Sequence, residues 1–208
     1  MAKSKKTAGT VTESEEMEST ATTQETTLEE NTGKGEENMN SSKPLQKAFI
    51  NGLKDIYFTE FAILEALPKM REAATTEELK EAFEDHELIT RKQISRLEKV
   101  FRSINETPEK KNCPAIEGII KEGEEVIEST PEGSMTRDAM LIIAAQKVEH
   151  YEIASYGGLA QMAITLGHDD AADLLERTLD EEEQTDLELT EIAEGFINFE
   201  AEEEEEEI

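Results

Sequence analysis

The chain has 208 residues, 36% hydrophobic and 5% aromatic, which is enough for one modest domain and too lean for a core along its whole length. Fifty acidic residues against 21 basic ones leave a formal charge of −29, a field that repels nucleic acid and anionic membranes and attracts cations. A single cysteine, Cys113, excludes an intrachain disulfide, and without an apolar signal region or a membrane-length apolar run the expected location is the cytoplasm.

In chain order, residues 1–43 are rich in Thr, Ser, Glu and Gly with apolar residues scattered singly, and are read as a disordered tail. Pro44 then opens a helix predicted to run to about Ala74, with Pro68 bending its last part. Thr75 with Glu78 makes a capping box for a second helix, to about Ile104. A connection through Thr107-Pro108 follows, and Pro114 starts a shorter helix to about Glu128, which Pro131-Glu132-Gly133 ends. Ser134 caps a long helix that stops at Gly167 in a left-handed cap, and Asp169 caps the last, to about Asn198. From Glu200 the run EAEEEEEEI repels itself and is read as a second disordered tail, which leaves residues 44–199 as the folded domain.

Tight joints after the first and third long helices make those neighbours antiparallel, whereas a crossover of about thirty residues lets the second and third run the same way. The expected fold is all-α, a ferritin-like four-helix bundle with a short extra helix in the crossover.

A three-four seam traced on each long helix is interrupted by polar residues near mid-length. Glu60 lies between Ile56 and Ile63, and His86 between Phe83 and Thr90. Glu149 and Glu152 follow Ala145, and Glu182 and Asp186 lie between Leu179 and Leu189. A lone seam carboxylate is explained by a boundary position where it reaches water, and a lone histidine by a hydrogen bond. Four helices breaking at one level are not explained that way. Five carboxylates and an imidazole facing one interior need compensation, and two iron or manganese ions supply it through hard oxygen and imidazole ligands. Tyr57, Tyr151 and Tyr156 are placed to hydrogen-bond those ligands or to pack, His150 lies off the seam, and Gly157-Gly158 lacks phosphate-loop spacing. The chain has no Gly-rich phosphate loop, nucleophile elbow or paired-cysteine zinc motif.

The stretches LKDIYFTEFAILEALPKM, LKEAFEDHELITRKQISRLEKVF, AAQKVEHYEIASYGGL and LLERTLDEEEQTD resemble the YciE/YciF-type family of ferritin-like bacterial stress proteins, over about Pro44 to Ala193. The resemblance implies a rubrerythrin-like bundle, a homodimer, and a dimetal centre whose ligand positions fall on Glu60, His86, Glu149, Glu152, Glu182 and Asp186. It carries no assigned reaction. Many relatives have Glu three residues after the histidine, whereas HELIT here places Ile89 there. Glu87 points to another face, so His86 and Gln93 are the only donors left on the second helix, and one metal position is expected to be weakened or empty.

Two functions follow as expectations. In one, a di-iron or di-manganese centre reacts with peroxide or oxygen, as a peroxidase or ferroxidase-type oxidoreductase. In the other, which Ile89 favours, the protein is a metal-free structural or interaction dimer whose carboxylates share protons.

Overall fold

The computed structural model describes residues 43–205, and the N-terminal tail read from the sequence lies outside them except for Lys43. Pro44 is the first residue of α1 (Pro44–Ala73), where its missing N–H would have no partner in any case, and the helix continues through Pro68. Then follow α2 (Glu77–Ser103), the short crossover helix α3 (Pro114–Ser129), α4 (Met135–Leu166) and α5 (Asp169–Ile192). A π-helical turn, Ala193–Ile197, joins α5 without a break to α6 (Asn198–Glu203). No strand occurs among the described residues, and none of their helices is long and apolar enough to cross a membrane.

Around the bundle the order is α1, α2, α5, α4, each packing against the next, while α3 lies over α1 and α4. The register of the core gives the directions. Phe49, Leu53 and Ile56 near the start of α1 meet Tyr156, Leu159 and Ala163 near the end of α4, whereas Ile63 and Leu67 meet Leu141, Ile142 and Ala145. The joint between α1 and α2 is three residues, so α2 is antiparallel to α1, as α4 is, and α2 and α4 therefore run the same way. This is the ferritin-like connectivity expected from the loop lengths. Gly52 permits the close approach of α1 to α4, since a Cβ there would lie 2.7 Å from Leu159 Cδ2.

The core is two apolar clusters, one around Phe49, Phe101 and Leu175 and the other around Leu67, Phe83 and Leu141. Burying each such side chain contributes roughly 1.5–3 kcal/mol. Between the clusters lies a polar layer, buried as completely as they are: Glu60, His86, Thr90, Gln93, Glu149, Glu152 and Glu182.

Helix ends differ in detail from the sequence reading. Ser134 caps α4 by accepting from the Arg137 N–H, and Gly167 adopts φ 76° as its left-handed C-cap, both as expected. The α2 cap is Thr76, one residue after the predicted Thr75, because buried Asp138 of α4 accepts from both threonine N–H groups and from the Thr76 hydroxyl. Thr75 turns its own hydroxyl to the Ser134 carbonyl instead. Asp169 is not a cap but the first helical residue of α5, preceded by His168, whose ring lies 2.9 Å from Gln46 Oε1 and stacks on Phe49. At the far end the helix continues past Glu200, and residues 206–208 of the predicted acidic tail lie outside the described residues. The helix runs to Glu203, and the carboxylate of Glu204 accepts from the N–H groups of Met135 and Thr136 and from the Thr136 hydroxyl, at the positive end of α4.

Asp138 thus ties the start of α2 to the start of α4 through a charged acceptor with no exposed surface. Replacing it with Ala is expected to cost about 2 kcal/mol from lost capping and charge-assisted bonds, read as a lower urea midpoint with an unchanged slope.

Candidate metal centre

Four helices deliver the polar layer. Glu60 comes from α1, His86 and Gln93 from α2, Glu149 and Glu152 from α4, and Glu182 from α5. Spacing explains the pairs. Glu149 and Glu152 are three residues apart and share a face of α4, while His86 and Gln93 are two turns apart on the inward stripe of α2. His86, Glu149, Glu152 and Glu182 each present a ligand atom within 4.8 Å of the others. Nδ1 of His86 is 3.3 Å from Glu149 Oε1 and its Nε2 is 3.9 Å from Glu182 Oε2.

The layer is only half hydrogen-bonded. Tyr156, fully buried, donates its hydroxyl to Glu60 Oε1, and Gln93 donates its amide to Glu182 Oε1. Seven buried atoms have no partner: Glu60 Oε2, His86 Nε2, Gln93 Oε1, both oxygens of Glu149, Glu152 Oε1 and Glu182 Oε2. Buried polar atoms are nearly always paired. Seven without partners at one level of the core single this layer out as the candidate site.

Electrostatics agree. Burial, and then the charge of Glu182, raise the Glu60, Glu149 and Glu152 carboxyls well above the usual range. Burial likewise pushes Glu182 up to about 7 and lowers His86 to about 4, so the imidazole is neutral and offers a lone pair. Arg96 is the cation that acts on Glu60 and Glu182, but it is committed to Glu181 through two bonds of 2.7 and 2.6 Å and to the Thr178 hydroxyl at 2.7 Å.

Of the six residues expected at the site, Glu60, His86, Glu149, Glu152 and Glu182 reach the layer. Asp186 does not. Its carboxylate is partly exposed and meets Gln146 at 3.2 Å and the largely exposed His150 at 3.3 Å, on the outer side of the α4–α5 seam. The inward residue one turn beyond Glu182 is Thr185, which can enter the core because its hydroxyl bonds back to the Glu181 carbonyl. The roles of Arg96 and Glu181 were not anticipated. Both lie on the bundle rim, and Gln93, which donates to Glu181 at 3.2 Å as well as to Glu182, joins them to the interior. Ile89 is partly buried beside His86 and offers no ligand atom.

Comparison with known proteins identifies the family. Residues 44–202 match the family described as Domain of unknown function (DUF892). Protein YciF of Escherichia coli (strain K12) is 47% identical over 161 residues, covering 77% of this chain and 96% of that protein. The crystal structure of the E. coli stress protein YciF aligns with a TM-score of 0.72 at 46% identity, over 76% of this chain and 99% of that one. YcfI from Rhodopseudomonas palustris aligns at 0.70 and 40% identity, over 73% and 96%. A family match over most of the chain, with near-half identity to a relative across nearly its whole length, makes this protein a member of the DUF892 family and a relative of the bacterial stress protein YciF.

Proposed function

We propose that the polar layer binds two divalent transition-metal ions, iron or manganese, and that the protein uses them to consume peroxide or oxygen under stress. The observation that carries this reading is the set of seven unpartnered buried atoms on five acidic and imidazole side chains and Gln93. Charge supports the count, since four carboxylates around a neutral imidazole are balanced by two divalent cations. The ligand chemistry supports the kind, since carboxylate oxygen with one imidazole nitrogen suits iron or manganese rather than a thiophilic metal.

Glu60, His86, Glu149, Glu152 and Glu182 would hold the ions, with Gln93 Oε1 available where Ile89 supplies nothing. Bound there, two ferrous ions supply one electron each to a peroxide or to dioxygen, whose reduction also takes up two protons. The chain's own residues do the rest. Tyr156 fixes one oxygen of Glu60 and Gln93 one oxygen of Glu182, so each carboxylate is oriented with its second oxygen free. Burial holds the Tyr156 hydroxyl in its protonated, donating form. Glu181, partly exposed and held by Arg96, accepts from the same Gln93 amide that donates to Glu182, so the rim ion pair fixes the amide that orients Glu182. All five ligand groups come from one chain, so the site does not depend on a dimer.

Anaerobic titration with ferrous ion should reach two ions per chain, followed on exposure to oxidant by oxidation faster than in buffer. Elemental analysis finding stray metal only, with melting unaffected by ferrous ion or chelator, would rule the reading out. A metal-free structural role is the second reading. Ile89 and the Gln93–Glu182 bond favour it, and the Glu149 substitution discussed below separates the two.

A further inference from the structure

Beneath the crossover helix, between α1, α3 and α4, lies a cavity of about 30 Å³. Its wall is apolar, formed by residues such as Ile63, Leu67, Ile120 and Val148, and its inner end is His86 and Glu149. Toward the surface it reaches Lys69 and Glu124, which form an ion pair of 2.9 Å between α1 and α3. The cavity thus runs from an exposed ion pair, through aliphatic side chains, to two residues of the polar layer. Buried Gly123 of α3 leaves room in its wall, since a Cβ there would have only Ala144 Cβ near it, at 3.8 Å. Ala66, in the same wall, is partly exposed near the mouth.

We propose that this cavity is an entry and holding site for a small apolar gas, dioxygen, and delivers it to the His86–Glu149 side of the metal centre. The inference rests on the metal reading above and selects between its two oxidants. Hydrogen peroxide would surrender its hydrogen bonds to water along an aliphatic wall, whereas dioxygen has none to lose, and aliphatic cavity walls take up apolar guests. The reaction served is the transfer of one electron from each of two ferrous ions to dioxygen, with uptake of two protons, giving two ferric ions and hydrogen peroxide.

Xenon is the probe for the cavity and needs no metal. Crystals of the metal-free full chain under xenon pressure should show one xenon among Ile63, Ile120 and Val148, lost in Gly123→Leu, which fills the wall from within. In anaerobically iron-loaded protein, Gly123→Leu should leave ferrous stoichiometry unchanged, slow oxidation by dioxygen about tenfold or more, and slow oxidation by hydrogen peroxide far less. Ala66→Phe, at a partly exposed position, should act in the same direction by closing the mouth. Absence of xenon from the wild-type cavity overturns the proposal, and so do dioxygen rates that stay at wild-type level once xenon is excluded. Failure to bind ferrous ion removes the metal reading and, with it, delivery to a metal, while a xenon site that disappears in Gly123→Leu would still establish the cavity as a gas site.

Discussion

Ferrous or manganous ion added anaerobically is expected to raise the melting temperature of the metal-free protein by about 10 °C, and Glu149→Ala to abolish that rise. The first part follows from linkage. A ligand that binds only the folded state, at about a thousand times its dissociation constant, stabilises by about 4 kcal/mol, and for a chain of this size each kcal/mol shifts melting by about 2–4 °C. The second part follows from the layer's present state. Glu149 has two buried oxygens without partners, next to Glu182, whose charge opposes its own. Removing it from metal-free protein therefore relieves a cost as well as leaving a cavity, and its melting temperature should stay level or rise. With metal, the same substitution removes a ligand. A calorimetric comparison of wild type and variant, with and without metal, reads both effects. Equal melting temperatures with and without metal in the wild type would leave the structural reading standing.

The same layer predicts an inverted pH dependence. The folded-state carboxyl of Glu182 lies at about 7, above its ordinary value of 4.5, so the folded chain holds a proton there that the unfolded chain has released. Stability then falls as pH rises through that window, by about 3 kcal/mol for this group. Glu60, Glu149 and Glu152 are raised for the same cause and act in the same direction. His86 shifts the other way. Its folded-state value is lowered to about 4, so its charge is unfavourable in the fold, and it adds stability only as pH rises from about 4 to its ordinary 6.5, partly offsetting the loss. Metal-free protein should therefore be more stable at pH 5 than at pH 7.5. Bound metal displaces the protons and depresses the carboxyls, so the loaded protein should gain stability over the same interval. Urea midpoints across this range measure both slopes. A metal-free midpoint that rises with pH would contradict the protonated layer.

Much of the fold was legible because its signals are local. Pro44, Ser134 and Gly167 act within one turn of themselves, and the loop lengths alone determine which helices lie antiparallel. The layer was legible for a related reason, since a polar residue on an otherwise apolar seam stands out wherever the partner helix is. The misses came where the choice depended on another element. After Glu182 the stripe could step to Thr185 or Asp186, and side-chain polarity favoured neither. Packing against α2 and α4 put the threonine inside, because its hydroxyl satisfies itself on the helix backbone while an aspartate cannot. The α2 cap moved by one residue because Asp138, 62 positions away in sequence from Thr76, reaches it. The cavity under α3 had no sequence signature at all, being a space among ordinary aliphatic residues.

Glu204 has a practical bearing on where this protein can be cut. With Ser134 and the Pro131 carbonyl it completes the four N-terminal N–H partners of α4, the longest helix, which carries Glu149 and Glu152. The family match stops at residue 202. A truncated chain ending there would leave the Met135 and Thr136 amides without their carboxylate, so the working domain is better ended at Glu205, and a purification tag is better placed ahead of Pro44 than against α6.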